Sequence, residues 1–229
     1  MIAENIEQVR KRIREACFRS GRKPEDVLLV AVTKTFPAEV IREAIADGIR
    51  DFGENYVQEL NEKKRQLVGQ EIRWHCIGHL QSNKVKHIAD YIHLIHSVDN
   101  LHVAEELNKR AEKANRQVDI FVEVHTTDEA TKYGVPPAKV LEVVKDVARF
   151  PWVRVKGLMT MGPFSDDPED SRPSFRRIAE LKKNIEREGI PNVSMEHLSM
   201  GMTHDFEVAI EEGATMVRIG TAIFGARAQ

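Results

Sequence analysis

Lys34 is the residue of this chain whose position best suits nucleophilic chemistry. It closes the short apolar run Val30-Ala31-Val32-Thr33-Lys34, which has the composition of a buried strand. Desolvation at a strand end disfavours an ammonium ion, and the neutral amine is able to form a Schiff base with a carbonyl compound. The alternative interpretation is an ordinary solvated lysine, so other segments must decide between the two.

Two later segments predict a phosphate site. They read Leu198-Ser199-Met200-Gly201-Met202 and Arg218-Ile219-Gly220-Thr221-Ala222-Ile223-Phe224-Gly225. Ser199 and Thr221 supply hydroxyl groups, while Gly201 and Gly220 let backbone N–H groups approach phosphate oxygens closely. The alternative interpretation treats these glycines as ordinary turn residues.

Arg218 is a charged residue inside the apolar run Met216-Val217-Arg218-Ile219. A charge in such a run is costly unless it is paired. Strand alternation puts Arg218 on the same face as Gly220. An inward guanidinium can donate a hydrogen bond to a ring nitrogen of a bound heterocycle. The alternative is a structural ion pair with an inward Asp or Glu.

Polar side chains at two other strand ends extend this group. Asn55 follows Phe52-Gly53-Glu54, where its amide could hydrogen-bond a ring hydroxyl and also cap the next helix. Glu54 faces the other side of the strand and is a candidate partner for a nearby basic group. His79 and Gln81 are expected at the same edge as Asn55.

Composition and motif patterns disfavour several classes of function. Thirty-four basic and 36 acidic side chains leave a formal net charge of −2, which gives no electrostatic footprint for nucleic acid. No apolar run approaches the roughly 18 residues of a membrane helix, and the N-terminal residues do not resemble a signal peptide. His75, Cys76 and His79 lack the second clustered pair of a zinc site, and no G-x-S-x-G, G-x-G-x-x-G or Walker A pattern is present. With two cysteines that form no CxxC pair, the sequence predicts a cytoplasmic protein.

The elements that must position these residues alternate regularly along the chain. The eight apolar runs that we predict as strands are 27–32, 51–55, 74–77, 92–98, 120–124, 153–161, 193–200 and 216–224. The amphipathic stretches that we predict as helices are 38–47, 56–67, 83–89, 101–114, 137–149, 174–188 and 204–212, with an extra helix at 2–19 before the first strand. This alternation is typical of βαβ units in a parallel sheet.

Eight strands in 229 residues favour a closed (β/α)8 TIM barrel that forms a single domain over residues 1–229. A doubly wound open sheet is the alternative. In such barrels the chemistry lies at the C-terminal ends of the strands, and the loops after strands seven and eight frequently bind phosphate. The polar segment 163–173 is predicted to be mobile.

Six segments carry a resemblance to a known family. They are Ala31-Val32-Thr33-Lys34-Thr35, Phe52-Gly53-Glu54-Asn55-Tyr56-Val57-Gln58-Glu59, Trp74-His75-Cys76-Ile77-Gly78-His79-Leu80-Gln81-Ser82-Asn83-Lys84, Gly157-Leu158-Met159, Leu198-Ser199-Met200-Gly201-Met202 and Val217-Arg218-Ile219-Gly220-Thr221-Ala222-Ile223-Phe224-Gly225-Ala226-Arg227. In order along nearly the whole chain, they resemble the YggS/PROSC family of pyridoxal phosphate homeostasis proteins. The fold of that family is similar to the N-terminal barrel domain of bacterial alanine racemase.

The resemblance implies that the cofactor is pyridoxal 5′-phosphate and that Lys34 is its Schiff-base lysine. It further implies roles for the other candidate residues: the phosphate is surrounded by Ser199, Gly220 and Thr221, with Gly201 nearby, the pyridine nitrogen is contacted by Arg218, and Asn55 neighbours the ring. One departure from the family pattern, His204 before Asp205, lies away from the ring-contacting positions.

The resemblance favours a non-catalytic module that holds pyridoxal phosphate in the cell and delivers it to apoenzymes. A guanidinium at the pyridine nitrogen disfavours its protonation, but the resemblance places the same arginine in alanine racemase, so arginine alone does not exclude racemisation. Two-base racemisation also needs an acid/base group on each face of the ring. None of Tyr56, Tyr91 and Tyr133 is evidently placed as the second base, although Tyr56 lies near a strand end. The alternatives are an amino-acid racemase with Lys34 as one base, even a weak one, and a barrel enzyme that acts on a phosphorylated metabolite without a covalent cofactor. A monomer is expected, because no heptad pattern or long apolar face demands an oligomer.

Overall fold

Eight parallel strands close into a barrel in chain order. The computed structural model describes residues 1–127 and 133–226. The strands are β1 Leu28–Val32, β2 Asp51–Glu54, β3 Arg73–Cys76, β4 Leu94–Val98, β5 Val118–Glu123, β6 Val153–Met159, β7 Val193–Ser199 and β8 Met216–Ile219. The last strand pairs with the first, with Arg218 opposite Val30. The prediction of a (β/α)8 barrel is therefore confirmed, and the open doubly wound sheet is wrong.

Helices follow the strands and surround the barrel. They are α1 Ile2–Arg19, α2 Ala38–Ala46, α3 Val57–Gln66, α4 Ser82–Val85, α5 Leu101–Lys113, α6 Val140–Val147, α7 Arg172–Arg187, α8 Phe206–Glu211 and α9 Thr221–Phe224. Short 3₁₀ helices lie at Pro24–Asp26, Pro137–Lys139 and Pro168–Ser171. In the described parts of the chain, no helix has both the length and the apolar character that crossing a bilayer requires.

The helices bury one face against the barrel, as their sequence periodicity predicts. In α5 the buried residues are Val103, Ala104, Leu107 and Ala111, a spacing of three and four that forms one stripe of the helix. Asn100 caps this helix, because its side chain accepts a hydrogen bond from the Val103 N–H at 3.0 Å. The extra helix α1 is present as predicted and packs against α8 and α9.

The end of the eighth strand differs from the prediction. The apolar run continues to Phe224, but β8 ends at Ile219 and the next residues form α9. The amides of Ile223 and Phe224 donate to the Gly220 carbonyl at 2.9 and 3.0 Å, which turns the chain into a helix. Ile223 is buried and its carbonyl accepts a hydrogen bond from the Asn5 amide of α1. The apolar character of this run therefore reflects packing against α1 rather than a longer strand.

The polar segment 163–173 contains a short 3₁₀ helix at Pro168–Ser171. The Asp167 carboxylate accepts a hydrogen bond from the Glu169 N–H at its start. The Ser171 hydroxyl donates to Asp205 Oδ2 at 2.8 Å, which connects the segment to the residues before α8. The mobility of this segment stays a prediction.

Candidate functional site

The C-terminal ends of the strands surround a cavity of about 730 Å³. This volume lies within the range of small-molecule sites, and the position is the usual one in barrel proteins. The predicted site residues that line the cavity are Lys34, Asn55, Arg218, Gly220 and Thr221. His79 and Gln81 also line it, as the sequence predicts. Ser199 and Gly201 do not.

Lys34 follows β1 and is half-buried. The backbone groups of the residues before and after Lys34 form hydrogen bonds with side chains of α3. The Thr33 carbonyl accepts a hydrogen bond from Lys63 Nζ at 2.7 Å, and the Thr35 N–H donates to Glu59 Oε2 at 3.0 Å. Thr35 has a φ of 69°, a left-handed conformation that is uncommon for a residue other than glycine. Contacts from α3 therefore maintain the turn that carries Lys34 to the cavity.

A buried ion pair lies at the centre of these contacts. Lys63 Nζ lies 2.6 Å from Glu54 Oε1 and 3.3 Å from Glu59 Oε2. With the Thr33 carbonyl, these oxygens give the ammonium three acceptors for its three protons. Burial raises the pKa of Glu54 to about 7, and the Lys63 charge opposes that rise. The prediction that Glu54 pairs with a basic group is confirmed.

Arg218 points into the barrel and is only 4% exposed. Its Nη1 donates to Ser199 Oγ at 2.6 Å and its Nη2 donates to the Thr160 carbonyl at 3.0 Å. Burial lowers the pKa of Arg218 to about 10, while Asp205 and Glu123 oppose that fall. The guanidinium therefore stays charged at neutral pH. Among the described residues no carboxylate forms an ion pair with it, so the alternative of a structural ion pair is not observed there.

Ser199 and Gly201 lie behind Arg218 rather than on the cavity wall. The Ser199 hydroxyl is buried between Arg218 and His96. Gly201 has a φ of 93°, and a Cβ there would lie 2.6 Å from the Cβ of Ala209. Its carbonyl accepts a hydrogen bond from the Arg218 N–H at 2.9 Å. Both residues contact Arg218, and the contact with phosphate that the family resemblance implies for them stays a prediction.

Close backbone approaches bring the remaining predicted residues to the cavity. A Cβ on Gly78 would lie 2.6 Å from the Asn55 carbonyl oxygen, so glycine lets the ends of β2 and β3 approach each other there. A Cβ on Gly220 would lie 3.2 Å from the Val32 carbonyl oxygen. Because β1 and β8 are neighbours, Gly220 and Thr221 lie on the same side of the cavity as Lys34.

The cavity contains functional groups that the sequence analysis missed. Glu123 is buried at the end of β5 and lines the cavity. Burial, reinforced by the charge of Asp99, raises the pKa of Glu123 to about 7. The ring of Tyr133 stacks on His79 with their centroids 3.9 Å apart. Glu123 is a charged residue inside the apolar run 120–124, as Arg218 is in its own run, so the argument used for Arg218 could have identified it.

Comparisons with known proteins place this geometry in context. The family model described as alanine racemase, N-terminal domain, matches residues 2–228. A pyridoxal phosphate homeostasis protein of Aquifex aeolicus is 47% identical over 224 residues, which cover 98% of this chain and 97% of that protein.

Arg227, which ends the last of the six sequence segments, lies outside the described residues.

Two solved structures are also similar. The structure of PipY from Synechococcus elongatus, with PLP bound, has a TM-score of 0.84 and 33% identity, and the match covers 98% of this chain and 100% of that one. Alanine racemase of Clostridium difficile has a TM-score of 0.79 at 14% identity, and the match covers 100% of this chain but 57% of the racemase. At that identity the likeness to the racemase shows the fold alone.

Proposed function

The chain belongs to the pyridoxal phosphate homeostasis protein family and has the alanine racemase N-terminal fold, and from this membership we propose that it holds pyridoxal 5′-phosphate through a Schiff base on Lys34. The observation that carries the proposal is the convergence of Lys34, Arg218, Gly220 and Thr221 on one cavity. The PLP in the similar structure of PipY and the name of the Aquifex aeolicus relative support it.

The residues around the cavity fit the chemical groups of this cofactor. The aldehyde needs an amine, and Lys34 supplies one. The pyridine nitrogen offers a lone pair, and Arg218 is a buried donor that cannot accept a proton in return. The phosphate needs hydroxyl and backbone N–H donors. Thr221 and Gly220 offer such donors where they line the cavity after β8. When bound, the cofactor supplies an aldehyde that condenses with amines and a ring that withdraws electrons.

Arg218 would set the electron-accepting power of the bound ring, but the family resemblance places the same arginine in alanine racemase, so this residue alone does not decide between holding and catalysis. A cation that donates to the pyridine nitrogen disfavours a proton there, and the unprotonated ring is the weaker electron acceptor. The racemase alternative is not favoured, because the relative with 47% identity is named a homeostasis protein. We therefore assign the chain a binding role in pyridoxal phosphate homeostasis.

The test is a visible absorbance spectrum of the purified protein with added pyridoxal phosphate, followed by borohydride reduction and peptide mapping. We expect a yellow protein whose reduced label maps to Lys34, and a colourless Lys34→Ala variant. The exposed Lys86→Ala variant serves as the control and is expected to stay yellow. A label on Lys84, which also lines the cavity, or a colourless wild-type protein would contradict the proposal.

The proposal extends to delivery of the cofactor to apoenzymes by a monomeric, cytoplasmic protein. Its two cysteines, Cys17 and Cys76, are buried and unpaired, which suits a reducing compartment. Delivery predicts that an apo-aminotransferase regains activity faster than spontaneous release of the cofactor allows. Equal rates would contradict delivery and leave the holding role intact. Light scattering that gives a mass other than 26.1 kDa would contradict the monomer.

A further inference from the structure

A row of four hydrogen bonds crosses the barrel interior from Arg218 to Asp51. Arg218 Nη1 lies 2.6 Å from Ser199 Oγ, and Ser199 Oγ lies 2.8 Å from His96 Nδ1. His96 Nε2 lies 2.9 Å from His75 Nδ1, and His75 Nε2 lies 3.0 Å from Asp51 Oδ1. Ser199, His96 and His75 are fully buried. This row, here named the Arg218–Asp51 chain, links the cavity to the opposite end of the barrel.

The two ends of the Arg218–Asp51 chain fix the direction of every bond in it. Arg218 can only donate, so Ser199 Oγ must accept from it. At the other end, burial alone would raise the pKa of Asp51, but hydrogen bonds from His75 and Arg73 outweigh burial and lower it to about 2. Asp51 is therefore a carboxylate at neutral pH and can only accept, which places a proton on His75 Nε2.

The histidine tautomers follow from these ends. A neutral His75 that carries its proton on Nε2 accepts at Nδ1, so His96 must donate from its own Nε2. His96 Nδ1 then accepts, and the Ser199 hydroxyl supplies the proton. Each donor in the Arg218–Asp51 chain therefore points toward Asp51, and each of the three central residues both accepts and donates one hydrogen bond within it.

His96 is held in the neutral state. Burial, together with the charge of Arg218, holds the pKa of His96 well below its usual value. A protonated His96 would direct a second donor at Ser199 Oγ, which already accepts from Arg218. The Ser199 proton would then lose its acceptor inside a dry barrel, which is costly. A proton on His75 Nδ1 would have the same effect, because His96 would then accept at Nε2 and donate from Nδ1 to Ser199 Oγ. Within the Arg218–Asp51 chain, only the arrangement with both histidine protons on Nε2 gives every donor an acceptor.

The same residues also invite a metal interpretation, which the geometry disfavours. In the described parts of the chain, Asp51, His75 and His93 offer ligand atoms within 4.8 Å of one another. However, Arg73 donates to both carboxylate oxygens of Asp51, at 2.7 and 2.5 Å. Both ring nitrogens of His75 are already used in the Arg218–Asp51 chain. A cation would have to displace these bonds and lie beside a guanidinium.

We propose that Ser199, His96 and His75 are positioning residues that aim the Arg218 guanidinium at the pyridine nitrogen of the bound cofactor. Asp51 is the fixed end of the arrangement. The proposal rests on the proposed function and deepens it, because it names the residues that hold the group facing the cofactor ring. Oriented bonds of this kind constrain a side chain more strongly than packing alone, since each link has a single donor direction.

The first experiment needs no cofactor. Long-range ¹H–¹⁵N correlation spectra of the ¹⁵N-histidine-labelled protein at neutral pH report which ring nitrogen carries the proton. We expect neutral rings with the proton on Nε2 for both His75 and His96, assigned with single-histidine variants. A proton on Nδ1 in either ring, or a positively charged ring, would overturn the proposed direction of the Arg218–Asp51 chain.

The second experiment compares two substitutions of similar polarity. His96→Asn places an amide oxygen near the position of Nδ1 and keeps an acceptor for Ser199. His96→Gln places its amide near Nε2 and leaves Ser199 without one. We expect His96→Asn to bind pyridoxal phosphate nearly as tightly as the wild type, while His96→Gln and Ser199→Ala bind about tenfold more weakly. The two weak variants should also show a shifted pH midpoint for the visible absorbance of the bound cofactor.

The control is His197→Gln. His197 lies in β7, the strand that carries Ser199, but it is not part of the Arg218–Asp51 chain. It is expected to leave both readouts unchanged. If the wild type binds the cofactor but Ser199→Ala and His96→Gln behave identically to it, the positioning role is wrong while the proposed function stands. If the wild type does not bind, the proposed function fails together with the positioning role. The tautomer measurement still decides whether every hydrogen bond of the Arg218–Asp51 chain points toward Asp51.

Discussion

The Lys63 ammonium lies 2.6 Å from the Glu54 carboxylate, and both side chains are buried between β2 and α3. The same ammonium donates to the carbonyl of Thr33, the residue before Lys34. A charge pair that never reaches the cavity therefore determines where the candidate nucleophile stands. Lys63 has no place in the family resemblance drawn from the sequence, yet the geometry makes it central to the site.

Replacement of Lys63 by methionine should destabilise the protein and reduce its loading with cofactor. Removal of one partner of a buried ion pair leaves an uncompensated charge and typically costs about 3–5 kcal/mol. We expect a loss of this size in the free energy of unfolding, measured by urea titration. The control is Lys64→Met, because Lys64 is the exposed neighbour in the same helix. Equal losses in the two variants would contradict the role of Lys63.

The stability of the Lys63→Met variant should depend on pH. Burial raises the pKa of Glu54 above its ordinary value of 4.5, and without Lys63 nothing of opposite charge limits the rise. A carboxyl group whose pKa is raised in the folded state makes its full contribution to stability at pH values below its unfolded-state pKa. That contribution is lost as the pH rises through the folded-state pKa. The deficit relative to the wild type should therefore grow from about pH 5 to about pH 8. The double variant Lys63→Met/Glu54→Gln should remove this growth, and persistence of the growth would exclude Glu54 as its source.

Replacement of Gly201 by alanine should be much more damaging than replacement of Gly213. The two glycines have similar φ values of 93° and 100°, so both substitutions introduce comparable backbone strain. A Cβ at Gly201 would lie 2.6 Å from the Cβ of Ala209 in α8, whereas a Cβ at Gly213 would have no atom within 4 Å apart from its own chain neighbours. We expect an additional loss of about 2 kcal/mol for Gly201→Ala, measured by thermal or urea unfolding. Similar losses for both variants would show that crowding against α8 does not matter.

Thr221→Val should weaken binding of the phosphorylated cofactor without affecting its unphosphorylated form. Valine keeps the shape of threonine and removes the hydroxyl of a residue that lines the cavity. We expect the dissociation constant for pyridoxal phosphate to rise about tenfold, in line with loss of one hydrogen bond to a charged group. The constant for pyridoxal should stay the same. A parallel change for both ligands would place the phosphate elsewhere in the cavity.

Asp51→Asn should destabilise the protein in a manner that fades at low pH. Hydrogen bonds from His75 and Arg73 overcome the effect of burial and lower the pKa of Asp51 from 3.8 to about 2. A lowered pKa contributes stability above the unfolded-state value that is lost as the pH falls through the folded-state value, here about 2 kcal/mol at pH 7 and about half of that at pH 3. The matched control is Asp119→Asn, since Asp119 pairs with Arg154 in a similar way but has no histidine donor. A deficit for Asp51→Asn that does not change with pH would contradict this account.

The fold and part of the site follow from the sequence because their signals are local. The alternation of apolar runs and amphipathic stretches predicts the barrel. The position of Lys34 at a strand end and of Arg218 inside the last apolar run predicts the cavity. The partners of these residues have no local signal. Lys63 lies in the charged run Glu62-Lys63-Lys64-Arg65, which has the composition of an exposed helix face. It is buried because acceptors from β1 and β2 meet it only after folding.

Ser199 shows a second limit of sequence reasoning. Its residue type and neighbours predict a phosphate contact, but they give no sign that its hydroxyl bonds to Arg218 and His96. His96 is 103 residues away in the chain, and a histidine inside an apolar strand gives no indication of its partner. The identities of such buried polar neighbours depend on register and barrel closure, which single-sequence patterns do not determine.

The pairing of β1 with β8 has a consequence for how the protein acquires its function. Lys34 comes from the first strand and Arg218 from the last, so the cavity between them is assembled from segments at the two ends of the folding unit. Contacts of such high sequence separation form slowly, because loop-closure entropy opposes them. During synthesis Lys34 leaves the ribosome long before Arg218 exists, so the incomplete chain lacks the cavity that both residues line. A ligand that needs both residues can therefore bind only to chains that have completed the barrel.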